Sequence, residues 1–146
     1  MYTISLKSHV EAAPAKLLKI WRKPEILLNS AKSIKRLKVI RREKNRLLTL
    51  WEVEIDKVTL SWRQWDILSI KSGVIEFKME DGEFNRCEGR WDILPDHDKK
   101  TALHLTVHMD WGIPTLEPYV KSSLMKKTRM IFRSFMASIK KTVEAR

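Results

Sequence analysis

From Thr101 to Trp111 the chain alternates strictly, with Leu103, Leu105, Val107, Met109 and Trp111 set against Ala102, His104, Thr106, His108 and Asp110. A period of two is the mark of a strand with one covered face. Gly112-Ile113-Pro114 ends the run, and the period becomes helical from Leu116 to Val143. At 100° per residue Leu116, Val120, Leu124, Ile131, Phe135 and Ile139 fall on one side, widened by Met125, Phe132, Met136 and Val143. Lys126, Arg129, Arg133 and Lys140 lie opposite. Such a helix spans roughly 40 Å at ~1.5 Å per residue. Pro114 and Pro118 stand near its start, where a missing N–H costs least, and Lys140, Lys141 and Arg146 near its end suit the helix dipole. One long helix after a series of strands needs a sheet to cover its apolar stripe. The expectation is a curved sheet closed over a single helix, with a cavity between them suited to an apolar ligand.

The rest of the chain supplies that sheet. Tyr2 to Val10 reads as a first strand, with Ile4, Leu6, Ser8 and Val10 on one face. Pro14 starts a short helix carrying Leu17, Leu18 and Trp21, and Pro24 breaks it and starts a second through Leu28. Strands then follow over Ser33–Arg42, Arg46–Asp56, Val58–Ser69, Val74–Glu80, Phe84–Leu94 and Thr101–Trp111. Neither face of Ser33–Arg42 is cleanly apolar. In Val58–Ser69 the inward face is ambiguous, because Trp62 and Trp65 point opposite ways. Asp81-Gly82 is a strong turn signal. Neighbouring strands joined by short turns predict an antiparallel meander.

A chain of 146 residues is expected to form one domain, 1–146, with a core of its own. No apolar run reaches the ~18 residues of a membrane span. The start, Met1-Tyr2-Thr3-Ile4, does not read as a signal peptide, and one cysteine, Cys87, allows no internal disulfide. A cytoplasmic protein, compatible with a peripheral position at a membrane, is the expectation. The net charge of +11 is uneven: residues 1–50 carry +10, residues 51–114 carry −5 and residues 115–146 carry +6. The basic excess is compatible with a lysine-rich solvated surface or with an anionic partner, such as RNA, a ribosome or an anionic membrane surface met by Lys126, Arg129 and Arg133.

Little in the sequence points to catalysis. His104 and His108 share a strand face but stand ~13 Å apart along it, too far to chelate one metal. There is no glycine-rich phosphate loop and no Gly-x-Ser-x-Gly elbow. No metal or cofactor is expected. Cys87 lies on the apolar face of its strand and reads as buried and inert. Six tryptophans is a high number for this length; core packing accounts for them, or Trp51 and Trp91 line a cavity. Acid–base groups inside such a cavity could come only from Gln64, Asp66 or Arg63 on the ambiguous strand.

Several motifs resemble one family. Val10-Glu11-Ala12-Ala13-Pro14-Ala15 resembles its turn from strand one into the first helix, and Lys23-Pro24-Glu25 resembles the start of its second helix. Glu88-Gly89-Arg90-Trp91 resembles its glycine-x-tryptophan strand, and Gly112-Ile113-Pro114 with Leu116 and Val120 resembles the join to its last helix. Their order is similar to that of the START-like (helix-grip, SRPBCC) superfamily, in its polyketide cyclase and coenzyme Q-binding branch. Lys23 stands where that family usually has an acidic residue. The resemblance implies an α+β helix-grip fold: a curved antiparallel sheet of six to seven strands around a long C-terminal helix, with two short helices after strand one. It implies binding of a hydrophobic small molecule such as an isoprenoid quinone or lipid, and is compatible with its transfer. The residues expected to line the cavity are Trp51, Val53, Phe77, Met79, Trp91, Leu105, Val107, Met109, Val120, Leu124, Ile131 and Phe135. A polyketide cyclase or aromatase, and a ribosome- or RNA-associated protein acting through its basic surface, stay open as alternatives. Nearly all inward faces are apolar, which favours binding over catalysis.

Overall fold

The computed structural model describes residues 2–29, 33–55, 57–82, 86–110 and 117–145. Seven strands form one antiparallel sheet: β1 (Tyr2–Val10), β2 (Ile34–Arg42), β3 (Arg46–Ile55), β4 (Val58–Ser69), β5 (Val74–Gly82), β6 (Arg86–Pro95) and β7 (Thr101–Asp110). Their order in space is β1-β7-β6-β5-β4-β3-β2, a meander from β2 to β7 with β1 added beside β7. Two helices, α1 (Pro14–Leu18) and α2 (Glu117–Glu144), complete the α+β helix-grip fold, the sheet curving around α2. The second short helix, Pro24–Asn29, has 3-10 geometry, as does Ile20–Arg22 before it. The expected join at Gly112-Ile113-Pro114, together with Trp111 and Leu116, lies outside the described residues.

Strand β2 shows why its pattern could not be read. Its buried residues are Ile34 and Leu37, three apart rather than two. The register against β3 slips between Ile34 and Arg36, and again between Val39 and Arg41. An extra residue in a strand reverses which face the following side chains meet, so alternation fails across it. A third slip, between β4 and β5, leaves Glu80 without a register partner. Asp81 and Gly82, expected as a turn, instead prolong β5 against Arg63 and Trp62.

The core lies between the sheet and the helices. From the short helices come Leu17, Ile20, Trp21 and Leu27, and from α2 come Phe135, Met136, Ile139 and Val143. Each fully buried aliphatic chain of this kind contributes about 1.5–3 kcal/mol relative to exposure. The C-terminal end of α2 is stitched to the first turn of the chain: the Lys140 amine donates to the His9 carbonyl at 2.8 Å, and the Glu144 carboxylate accepts from the Glu11 amide at 2.8 Å. Thr101 Oγ1 donates to the Ala12 carbonyl at 2.7 Å, tying β7 to the same turn.

The middle of α2 is held by aromatic contacts. Phe135 lies 5.2 Å from Trp51 on β3 and 5.5 Å from Trp91 on β6, centroid to centroid. Trp51 stacks on Trp62 of β4 at 5.8 Å with planes 3° apart, and Trp91 meets Trp21 edge-on at 5.4 Å. One chain of rings thus links two strands on one side, the helix, and β6 with the short helices on the other. Phe135→Ala should lower the unfolding free energy by roughly 3–5 kcal/mol. Met130→Ala, on the same helix but 61% exposed, should change it by less than ~0.5 kcal/mol. Urea unfolding midpoints measure both, and equal shifts would show that the ring chain does not hold the helix.

Candidate ligand cavity

The space between sheet, short helices and α2 is not fully closed by side chains. An apolar cavity, open at its mouth, remains between them. It is narrow inside: the region in which the centre of a water molecule fits is about 50 Å³. That is room for a few waters or a slim apolar group, so a larger ligand needs the walls to part.

Seven of the residues expected from the sequence to line a cavity do border this one: Trp51, Val53, Phe77, Trp91, Met109, Ile131 and Phe135. Leu105 and Val107 do not. They are buried at 1% and 0% in the packed core, opposite Leu6 and Ile4 of β1 in the β1–β7 register. Edge strand β1 and the tight end of α2 close that side of the molecule, so an inward position there meets packed atoms rather than space. Met79 is half-buried and packs against the core beside the β4–β5 slip, but does not border the cavity. The side chains of Val120 and Leu124 lie outside those described.

Further lining residues are not among those expected, although the sequence pattern places Trp21 and Phe132 on apolar helix faces. Ile20, Trp21, Pro24 and Leu27 arrive from the short helices, Ile34 from the bulged β2, and Thr128 and Phe132 from α2. Phe77 can lie flat across β6 because its register partner is Gly89. A Cβ at that position would come within 2.9 Å of the Phe77 ring and 2.0 Å of the Thr106 carbonyl oxygen. The tryptophan two residues on, Trp91, points to the same face.

Strand β4 resolves in favour of Trp62, Gln64, Asp66 and Leu68, all buried. Trp65 faces the other way, under the Arg46 guanidinium at 4.2 Å, and Arg63 pairs outward with Asp81. Gln64 and Asp66 border the cavity, and with Thr49 they form a hydrogen-bonded cluster in otherwise apolar surroundings. Gln64 Nε2 donates to Asp66 Oδ1 at 2.8 Å, and Thr49 Oγ1 donates to Asp66 Oδ2 at 2.9 Å. Trp51 Nε1 donates to Thr49 Oγ1 at 2.9 Å, and Trp62 Nε1 to Gln64 Oε1 at 2.8 Å. The same tryptophans that wall the cavity thereby satisfy their own indole N–H groups. Burial pushes the Asp66 carboxyl up to about 7, against the opposing pull of the Gln64 and Thr49 donors. Cys87 is buried, which pushes its thiol up to about 12. On the outer face, His108 Nδ1 meets Thr3 Oγ1 at 3.0 Å. Among the described residues no three His, Cys, Asp or Glu side chains gather as a metal site.

The basic excess looks different once folded. On β2, Lys35 and Arg36 reach Glu54 and Glu52 of β3, Arg41 reaches Glu43, and Arg42 reaches Glu25. On α2, Lys126 and Arg133 are exposed and Arg129 half-exposed, one turn or less from the cavity residues Thr128, Ile131 and Phe132. No described helix is long and apolar enough to cross a membrane.

The family described as polyketide cyclase / dehydrase and lipid transport matches residues 10–136. The chain belongs to that family, within the START-like helix-grip superfamily. No curated protein sequence matches it significantly. Among solved structures, a Thermus thermophilus protein, TTHA0849, superposes with a TM-score of 0.92 at 20% identity, covering 97% of each chain. The ZhuI aromatase/cyclase of a Streptomyces species gives 0.86 at 10% identity over 98% of this chain and 93% of that one. A START superfamily protein of Mycobacterium smegmatis gives 0.81 at 18% over 99% and 98%. At these identities the likeness establishes the fold.

The buried carboxyl makes stability depend on pH. Its folded value of about 7 exceeds the ordinary 3.8, so between those values the folded state holds a proton that the unfolded state has lost. The contribution is complete below the ordinary value and is lost as pH rises toward 7, at up to ~1.4 kcal/mol per pH unit. Exposed carboxylates held low by their partners, such as Glu43 and Asp81, give the opposite slope at more acid pH. The difference in unfolding free energy between Asp66→Asn and wild type should therefore move in favour of the variant from pH 5 to pH 8. Urea titrations across that range read it, and a flat difference would mean that Asp66 is ionised throughout.

Proposed function

We propose that this protein binds a hydrophobic small molecule, such as an isoprenoid quinone or a lipid, in the cavity between its sheet and α2, whose walls part to admit it. The observation that supports this most is the make-up of the wall: a continuous aromatic and aliphatic surface reaching the exterior, with polar groups confined to Gln64, Asp66 and Thr128. Water gains little in such a space, and removing apolar area from water contributes about 25 cal/mol per Å². Native mass spectrometry of the protein isolated from its own cells should show a stoichiometric apolar adduct. Ile131→Trp, which fills the space from α2, should weaken uptake of that molecule at least tenfold with little loss of stability. Unchanged uptake would place the binding elsewhere.

On this reading the basic face of α2 beside the cavity serves delivery, holding the protein against anionic headgroups of the inner face of a membrane. Charge reversal at Lys126, Arg129 and Arg133 should then weaken binding to phosphatidylserine vesicles severalfold, with no effect on neutral vesicles. Equal binding by the reversed variant would remove the membrane role.

One observation favours a second reading, an enzyme of the cyclase or aromatase kind. Asp66 is the one ionisable side chain among the described lining residues, and its carboxyl sits near neutral pH, where a general acid or base works best. Asp66 would take a proton from carbon beside a substrate carbonyl, with Gln64 orienting it. In that case Asp66→Asn abolishes turnover while binding persists.

A further inference from the structure

The cavity has a chemical polarity that its apolar walls conceal. Of its three polar lining residues, Gln64 is held at both ends: its side-chain carbonyl accepts from Trp62 and one hydrogen of its amide goes to Asp66. Asp66 has a different balance. A carboxylate offers about four acceptor positions, and the two donors that reach it, Gln64 Nε2 and Thr49 Oγ1, occupy one on each oxygen. No Lys, Arg or His borders the cavity among the described residues.

Thr49 keeps that balance in either protonation state. Its Oγ1 lies 2.9 Å from Asp66 Oδ2 and 3.3 Å from the backbone carbonyl oxygen of Gln64. When Asp66 is charged, the hydroxyl donates to it. When Asp66 is neutral, the carboxyl proton donates to Thr49 Oγ1 and the Thr49 hydrogen turns to the Gln64 backbone carbonyl. The proton stays on the Thr49 side, and Oδ1 remains an acceptor.

Resting on the cavity-binding reading, we propose that the ligand carries a non-anionic hydrogen-bond donor, a phenolic or alcoholic hydroxyl, at its buried end, and that Asp66 reads it. An anionic end, carboxylate or phosphate, would be stripped of water beside a carboxyl with no cation among the described lining residues to receive it. A ligand with only acceptors there, such as an oxidised quinone, would set lone pair against lone pair at Asp66. A hydroquinone, sterol or phenol would complete the site, its ring packing against Trp51 and Trp62.

Three probes of one shape test this: 2-naphthol, 2-methoxynaphthalene and 2-naphthoate, titrated by tryptophan fluorescence at pH 7. The naphthol should bind at least about tenfold tighter than the methyl ether, the value of a charge-assisted hydrogen bond, and the naphthoate weakest. In Asp66→Leu the preference for naphthol over the ether should fall to near unity, with ether binding retained as a report that the cavity is intact. If that variant does not fold, Asp66→Asn decides, with the preference reduced severalfold. Naphthoate binding as tightly as naphthol, or a preference unaltered by the substitution, overturns the proposal and leaves cavity binding standing. No binding of any probe, the ether included, overturns both.

Discussion

The structure depends on how one ring is held. Phe135 sits about two thirds of the way along α2, between Trp51 and Trp91, which stand on strands separated in the sheet by β4 and β5. A helix crossing a curved sheet could slide along it or rotate, since apolar burial is not directional. Tilted ring contacts on both sides of Phe135 fix depth and rotation together. The same rings are too large and too rigid to fill the space beside them. The grip and the cavity therefore have one origin: side chains chosen to hold the helix leave a gap that smaller, more flexible ones would collapse into.

The polar cluster follows from the same tryptophans. An indole N–H buried without a partner costs more than a made hydrogen bond contributes. Trp51 and Trp62 both point inward, and each finds its acceptor two residues along its own strand, in Thr49 and Gln64. Those in turn need a partner, and Asp66 accepts from both. A carboxyl held among aromatic rings with only neutral donors around it is displaced toward its neutral form. Asp66, the one ionisable side chain among the described lining residues, is thus a consequence of satisfying the wall.

The fold was largely legible because its two periods are clean where it matters. The alternation of β7 and the helical stripe of α2 each extend well beyond the length at which chance patterns persist. Legibility failed where a strand carried an extra residue. On β2 the slips put Ile34 and Leu37 on one face, and no count by twos could find that. On β4 alternation was intact, but Trp62 and Trp65 competed for the inward face. Trp65 is accommodated outside by Arg46 stacking on its ring and by Glu80 at its N–H, partners that only a three-dimensional arrangement supplies.

By itself the sequence determined the order of the elements, their antiparallel meander, the long gripped helix and the aromatic character of the interior, because each is a matter of local period and turn chemistry. The tertiary structure decided which inward residues meet space and which meet packed atoms. Phe77 and Met109 border the cavity while Leu105 and Val107, on the same kind of face, do not. It also decided that the basic residues of β2 face the acids of β3 rather than solvent alone. The physical reason is that facing inward is a property of a strand, whereas lining a cavity depends on the distance between two elements far apart in the chain.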